Sequence, residues 1–158
     1  WTYAGGPIAI NTFDRGWRSD PRYGTTRFYD QRAGAREDFV EGRAAWVSSS
    51  FRHNLGLGVG DTITLEAPAG TVSLPIAAVM QDFDSPRGVV LMARDLYRRH
   101  WYDDAITRVY ALVDAGADAD AVRAEITRRL GATYGLRVGT AADLRDYFAN
   151  QVRQAFFA

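Results

Sequence analysis

The segment from Thr62 to Met80 constrains the fold more than any other stretch of the chain. Thr62-Ile-Thr-Leu-Glu66 alternates apolar with polar residues, Ala67-Pro-Ala-Gly70 supplies a turn, and Thr71 to Met80 resumes an extended run. Period-two patterning on both sides of a Pro/Gly connection predicts an antiparallel β-hairpin with a four-residue loop. The hairpin follows a run of alternating glycines, Gly56, Gly58 and Gly60, in Leu55-Gly-Leu-Gly-Val-Gly-Asp61. Alternating glycines raise the question of a phosphate-binding loop, which lies after a strand and opens a helix. Here the order is reversed. Ser48-Ser-Ser-Phe-Arg-His-Asn54 reads as a short capped helix upstream, and a strand follows. The run lacks the GxGxxG spacing and the Lys-Ser or Lys-Thr pair of a P-loop, so Gly56 is expected as a helix C-cap and Gly60-Asp61 as a turn.

Composition narrows the chemistry. The 158 residues suit one domain or two small lobes, and 47% hydrophobic with 24% charged residues indicates a globular chain. The 19 basic residues balance the 19 acidic ones, so no electrostatic field recommends nucleic acid as a partner. Every basic residue is arginine, which excludes lysine Schiff-base chemistry and a P-loop lysine. The absence of cysteine excludes thiol nucleophiles, disulfides and thiolate metal sites. No signal peptide or membrane-length apolar run is present, and the start at Trp1-Thr-Tyr3 without Met suggests a segment of a longer polypeptide.

The remaining elements follow from local patterning. Pro7–Ile10, Thr25–Tyr29 and Ala44–Val47 are expected as strands, with a turn-rich loop over Asp14–Gly24 and a charged stretch from Gln31 to Asp38. Val89–Met92 predicts a strand, Ala93–Trp101 a helix, and Thr107–Val113 an alternating strand. Asp118 or Asp120 caps a helix whose face carries Val122, Ile126 and Leu130. Leu136–Val138 is expected as a short strand, and Thr140-Ala-Ala-Asp143 as a capping box. Leu144, Phe148, Val152 and Phe156 form a stripe on a last helix with no stop signal, expected to lead into a membrane span.

Candidate catalytic groups lack the contexts that chemistry needs. His53 and His100 lie in neither HExxH nor HxH spacing, and no GxSxG elbow is present, so a hydrolase has little to stand on. Asp82 and Asp84 could offer oxygens to a cation, but Ser85-Pro86 and Gly88 favour a turn; Asp118 and Asp120 lack the Gly and Glu of a calcium loop. No paired carboxylates stand out as an acid/base couple, so no catalytic, cofactor or metal residue is assigned. The aromatic and arginine residues of the first third are the remaining candidates. Trp17, Arg18, Arg22, Tyr23, Phe28 and Tyr29, together with Trp1, could form a surface that contacts a partner, a glycan or an anionic ligand.

From Ala45 onward the chain resembles the extracytoplasmic domain of FtsX/MacB/LolC-type ABC transporter permeases. Ala45-Trp-Val-Ser-Ser-Ser-Phe-Arg-His-Asn-Leu-Gly-Leu-Gly-Val-Gly-Asp-Thr62 is similar to that family's strand, serine, short helix and "vGDt" turn. Leu65-Glu-Ala-Pro-Ala-Gly70 resembles its "l-x-tp-x-G" hairpin, and Ala78-Val-Met-Gln-Asp-Phe-Asp-Ser-Pro-Arg-Gly-Val-Val90 a "v-x-x-DY-x-sp-x-G" turn. Asp114-Ala-Gly-Ala-Asp-Ala-Asp-Ala-Val122 is similar to its "pGad-x-x-av" helix entry, and Thr140–Arg145 with the helix to Phe156 to an "s-x-x-eLR" segment before a membrane span. The resemblance implies an α+β fold: a mixed sheet with β-hairpins plus a βαβ-rich lobe. It divides residues 1–158 into a variable, partner-facing part (1–44), a β-rich part (45–92) and a βαβ part with the C-terminal helix (93–158). It also implies a non-catalytic domain without a cofactor, outside the cell (inner) membrane. Such a domain would link membrane helices of its own chain and a cytoplasmic ATPase to cargo or protein partners, in export or in regulation of cell-wall hydrolases. The alternative reading is a free-standing glycan- or anionic-ligand-binding module that uses the N-terminal Trp/Tyr/Arg residues.

Overall fold

The computed structural model of the protein describes residues 1–16, 21–23, 26–81 and 85–157. They fall into two compact units, Trp1–Tyr110 and Ala111–Ala158. The first is built on a mixed β-sheet, the second is helical, and the fold class is α+β as expected.

The sheet of the first unit is organised around two strands. β5 (Ala45–Ser48) is buried along its whole length. β7 (Gly70–Met80) is long enough to pair twice. Its first half forms the expected hairpin with β6 (Thr62–Ala67), in register from Thr62 opposite Pro75 to Ala67 opposite Gly70; because Ala67 and Gly70 join the ladder, the loop is the two residues Pro68-Ala69 and not the four expected. Its second half runs parallel to β5 and antiparallel to the edge strand β4 (Phe28–Gln31). On the other side, β5 pairs antiparallel with β8 (Val89–Ala93), which pairs parallel with β3 (Ala9–Phe13). The order across the sheet is β3-β8-β5-β7-β4. A separate two-stranded pair, β1 (Thr2–Tyr3) and β2 (Gly6–Pro7), precedes it.

Period-two alternation sorts the core into two layers. Val47, Ile76, Val79, Val90 and Met92 join Phe51, Ile63, Leu65, Leu74, Leu96 and Trp101 in one cluster. The helices on that side are α2 (Ser49–Leu55) and α3 (Arg94–Trp101). Trp46, Ala78, Met80, Val89 and Leu91 join Phe39 and Ala35 of α1 (Ala35–Val40) in the other. Helix α1 begins inside the stretch Gln31–Asp38 read from sequence as merely charged and runs two residues past it. Its apolar residues are few, so the pattern is weak, yet Ala35 and Phe39 lie one turn apart and both are buried. Trp46 anchors this layer. Its ring stacks on Phe39 at 4.1 Å, meets Phe28 edge-on at 4.8 Å, and its Nε1–H donates to the Ala35 carbonyl at 3.1 Å.

The entry to β5 is held by charge. Asp38 accepts from Arg32 Nη2 at 2.5 Å and from Arg43 Nε at 2.9 Å, fastening the C-terminal half of α1 to both flanking segments. The Arg32 hydrogen bond, followed by that of Arg43, lowers the Asp38 carboxyl below the ordinary carboxylate value of 3.8.

In the second unit, Asp118 caps α4 (Ala119–Ile126), accepting from the Asp120 and Ala121 amides at 2.9 and 3.3 Å. A π-helical turn (Thr127–Gly131) and a last turn (Ala132–Tyr134) extend it. The capping box forms as expected at the start of α5 (Ala141–Phe157): Thr140 Oγ1 accepts from the Asp143 amide at 3.2 Å, and Asp143 Oδ2 accepts from the Thr140 amide at 2.7 Å. Two expected strands do not form. Thr107–Val113 and Leu136–Val138 pair with no strand among the described residues, and Val109, Leu112 and Leu136 are exposed. Alternation gives a segment the capacity for a strand, but the ladder needs a neighbour to supply hydrogen bonds. Among the described residues no helix is long and apolar enough to cross a membrane.

Two substitutions test this packing. Trp46→Ala is expected to cost about 3–5 kcal/mol in urea unfolding, as deletion of a fully buried large aromatic does. Acidification tests the Asp38 anchor. A carboxyl lowered on folding contributes stability that is complete above its unfolded value and is lost as pH falls through the folded one. The urea midpoint of the wild type should therefore fall more steeply below pH 3.8 than that of Asp38→Asn; parallel profiles would remove Asp38 from the account.

Candidate functional site

The glycine run is where a nucleotide would have to bind, and its amides are committed. Gly56 caps α2 in the left-handed conformation, φ 71° and ψ 8°, and its N–H donates to the Arg52 carbonyl at 2.9 Å. The Gly58 N–H donates to Asp61 Oδ2 at 2.8 Å. The Gly60 N–H donates to the Ile76 carbonyl at 3.1 Å, and the Ile76 amide returns a bond to the Asp61 carbonyl at 2.8 Å. Asp61 thus closes the turn and locks it onto the middle of β7. A phosphate seated here would have to displace three internal acceptors.

A second arrangement joins α2 to the loop before β8. The Ser48 hydroxyl accepts from the Phe51 amide at 3.1 Å and from the Val89 amide at 3.0 Å, and lies 2.8 Å from Ser50 Oγ. Ser50 gives its single proton to the Ser85 carbonyl at 3.1 Å, so Ser48 donates to Ser50. Asn54 Nδ2 donates to the Pro86 and Arg87 carbonyls at 2.9 and 3.3 Å. Ser50 and Asn54 therefore fasten residues 85–87 to one helix, and Ser48 fastens Val89 to its start. Gly88 completes the contact. Its φ is +130°, and a Cβ there would lie 2.5 Å from the Phe51 Cα. Asp82 and Asp84 lie outside the described residues, as do Trp17 and Arg18.

The other candidates are dispersed. Phe28 faces inward against Trp46, with the Arg36 guanidinium 5.2 Å from its ring centroid. Its neighbour Tyr29 points the other way and is 61% exposed, the alternation of a strand. Arg22 is exposed and Tyr23 half-buried in the short 3-10 turn Pro21–Tyr23. Trp1 packs edge-on against Trp101 at 5.8 Å, and Trp101 stacks on Tyr97 at 4.8 Å. His53 is exposed on α2, whereas His100 is half-buried at the end of α3, its carbonyl accepting from the Ala69 amide at 3.0 Å. Among the described residues no cluster of three His, Cys, Asp or Glu side chains could hold a metal ion.

The region that sequence reasoning did not single out is the outer end of α3. Arg94 donates to the Asp104 and Ala105 carbonyls at 2.8 and 3.1 Å, Arg98 pairs with Asp104, and Asp103 Oδ1 accepts from the Ala105 amide at 2.8 Å. These bonds fold residues 102–105 back over the helix end. Tyr102 caps the helix with φ 54°, a conformation usually left to glycine or asparagine. The only signal in the sequence was the i, i+3, i+4, i+7 spacing of Asp95, Arg98, Arg99 and Tyr102, which an ordinary solvated face shares.

Comparison with known proteins adds two findings. A family model described as the MacB-like periplasmic core domain matches residues 6–129, most of the chain. A protein of Mycobacterium tuberculosis named as an uncharacterized ABC transporter permease is similar, 40% identical over 60 residues, which is 38% of this chain and 7% of that protein. The chain thus aligns with only a small part of that relative's length.

Two measurements examine these arrangements. Ser48→Ala removes a helix cap and leaves the buried Val89 amide without an acceptor; about 2–4 kcal/mol of stability is expected to be lost. Saturating Mg–ATP is expected to leave the thermal midpoint unchanged, because the glycine amides are already engaged; a concentration-dependent rise would show a nucleotide site.

Proposed function

The chain belongs to the MacB-like periplasmic core domain family, and from that premise we propose that it is a non-catalytic extracytoplasmic domain of an ABC transporter permease. In this role it couples membrane helices of its own polypeptide, and through them a cytoplasmic ATPase, to cargo or protein partners outside the membrane. The family match over residues 6–129 carries the reading, and the permease named among its relatives supports it. The structure adds a physical argument. The one glycine-rich loop spends its amides on the fold, which suits a system whose nucleotide binds another polypeptide.

Residues 1–44 are proposed as the partner-facing part. The Tyr29 ring, 61% exposed on edge strand β4, supports contact there, since exposed aromatics and arginines dominate protein interfaces. The same residues serve the alternative reading of a glycan- or anion-binding module, in which Arg22 and Tyr29 would hold the ligand directly. The two readings differ in what the domain needs. In the permease reading the full-length polypeptide carries apolar segments of about 20 residues flanking this domain. Deleting the domain is expected to leave basal ATP hydrolysis by the associated ATPase intact and to abolish its response to cargo or partner. Absence of flanking spans, or loss of ATP hydrolysis itself on deletion, would contradict the reading.

A further inference from the structure

The outer face of α3 holds features that the core of the domain does not use. Asp95, Arg98, Arg99 and Tyr102 share one face of the helix and, with Asp104, line an open recess of ≈ 450 Å³. Its charges are unequally committed. Asp95 accepts from Arg15 Nε at 3.2 Å, and Asp104 is paired with Arg98. Arg94, behind them, is pinned by two carbonyls and lies 3.7 Å from Asp14. The lining carries two aspartates and two arginines, and among the described residues the exposed Arg99 has no ion pair, so its guanidinium is open to a ligand.

Tyr102 is the second feature. It is 74% exposed yet holds φ 54°, a strained conformation for a bulky side chain that glycine would adopt freely. Nothing in the core requires its ring. The backbone is held in place by the Tyr102 N–H bond to the Arg98 carbonyl at 3.1 Å and by the arginine clamps on residues 104 and 105. The result is an exposed aromatic ring on a fixed backbone beside the Arg99 guanidinium, the combination of residue types that dominates protein–protein hot spots.

We propose that this recess is a docking point for an acidic segment of an extracytoplasmic protein partner, with Arg99 anchoring a carboxylate and the Tyr102 ring covering an adjacent apolar side chain. The proposal rests on the permease-domain reading for the kind of partner, and on the recess itself for its chemistry. A planar guanidinium recognises a carboxylate through two parallel bonds, and the committed carboxylates of Asp95 and Asp104 repel an acidic segment that arrives out of register.

The test uses the 158-residue protein and a short peptide alternating glutamate with phenylalanine, followed by NMR at the arginine Nε–H and Tyr102 resonances. The expected result is a saturable shift confined to Arg98, Arg99 and Tyr102. Arg99→Ala and Tyr102→Gly should each weaken binding about tenfold, the loss one hot-spot side chain carries. Tyr102→Gly relieves the left-handed strain, so its thermal midpoint should hold or rise while binding falls; this separates recognition from folding. Equal binding of the peptide with glutamine in place of glutamate would overturn the proposal. So would shifts spread over all surface arginines, or shifts produced only by phosphatidylglycerol vesicles, which would make the face a lipid contact. Failure of the peptide leaves the permease reading standing, and absence of flanking membrane spans would leave peptide binding intact, so the two fail separately.

Discussion

The Ser48 hydroxyl is the interaction on which the first unit depends. It ends the central strand, caps α2 through Phe51, and accepts from the first amide of β8, while its own proton starts a relay through Ser50 to the Ser85 carbonyl. Among the described residues it is the one buried polar side chain in an apolar core. All three of its hydrogen-bonding positions are filled, which is the condition for tolerating a hydroxyl there. Because it joins a strand end, a helix start and a second strand at one atom, it sets where α2 leaves the sheet. It also sets where the chain re-enters at Val89. Gly88 follows from it, since the approach of the loop to Phe51 leaves no room for a Cβ.

The sheet then presents distinct regions for distinct work. Its interior strands are covered on both faces, which demands the near-continuous apolar runs of β5, β8 and the second half of β7. Exposed aromatic rings stand on the edge strand, at Tyr29, and at the outer end of α3, at Tyr102. The second unit differs: Leu130, Tyr134, Leu136, Leu144 and Tyr147 are all exposed.

Much of the fold was legible in the sequence, for local reasons. The β6–β7 hairpin, the Ser48 and Gly56 caps of α2, the Asp118 cap and the Thr140–Asp143 box each depend on residues within a few positions of one another. Helix α1 was not legible, because its helix is fixed by Phe39 stacking on Trp46 and by Asp38 bridging two arginines. The strands expected at Thr107–Val113 and Leu136–Val138 failed for the opposite reason: their local pattern is adequate and their partner ladder is missing from the described residues. The candidate surface was read with the same asymmetry. Sequence grouped Phe28 with Tyr29, whereas the strand sends one to Trp46 and the other to solvent. The α3 recess was invisible, since its two marks exist only once the chain has folded: a positive φ at Tyr102 and an Arg99 with no ion pair among the described residues.

The central claim is that this domain stands outside the membrane while the ATP chemistry of its system proceeds inside. The absence of cysteine makes a direct test available. A single Glu66→Cys substitution on the exposed face of β6, in the full-length polypeptide with any other cysteines removed, can be challenged with a membrane-impermeant maleimide. Labelling in intact spheroplasts, at the same level as after lysis, is the predicted result. Labelling only after lysis would place the domain in the cytoplasm and contradict the account.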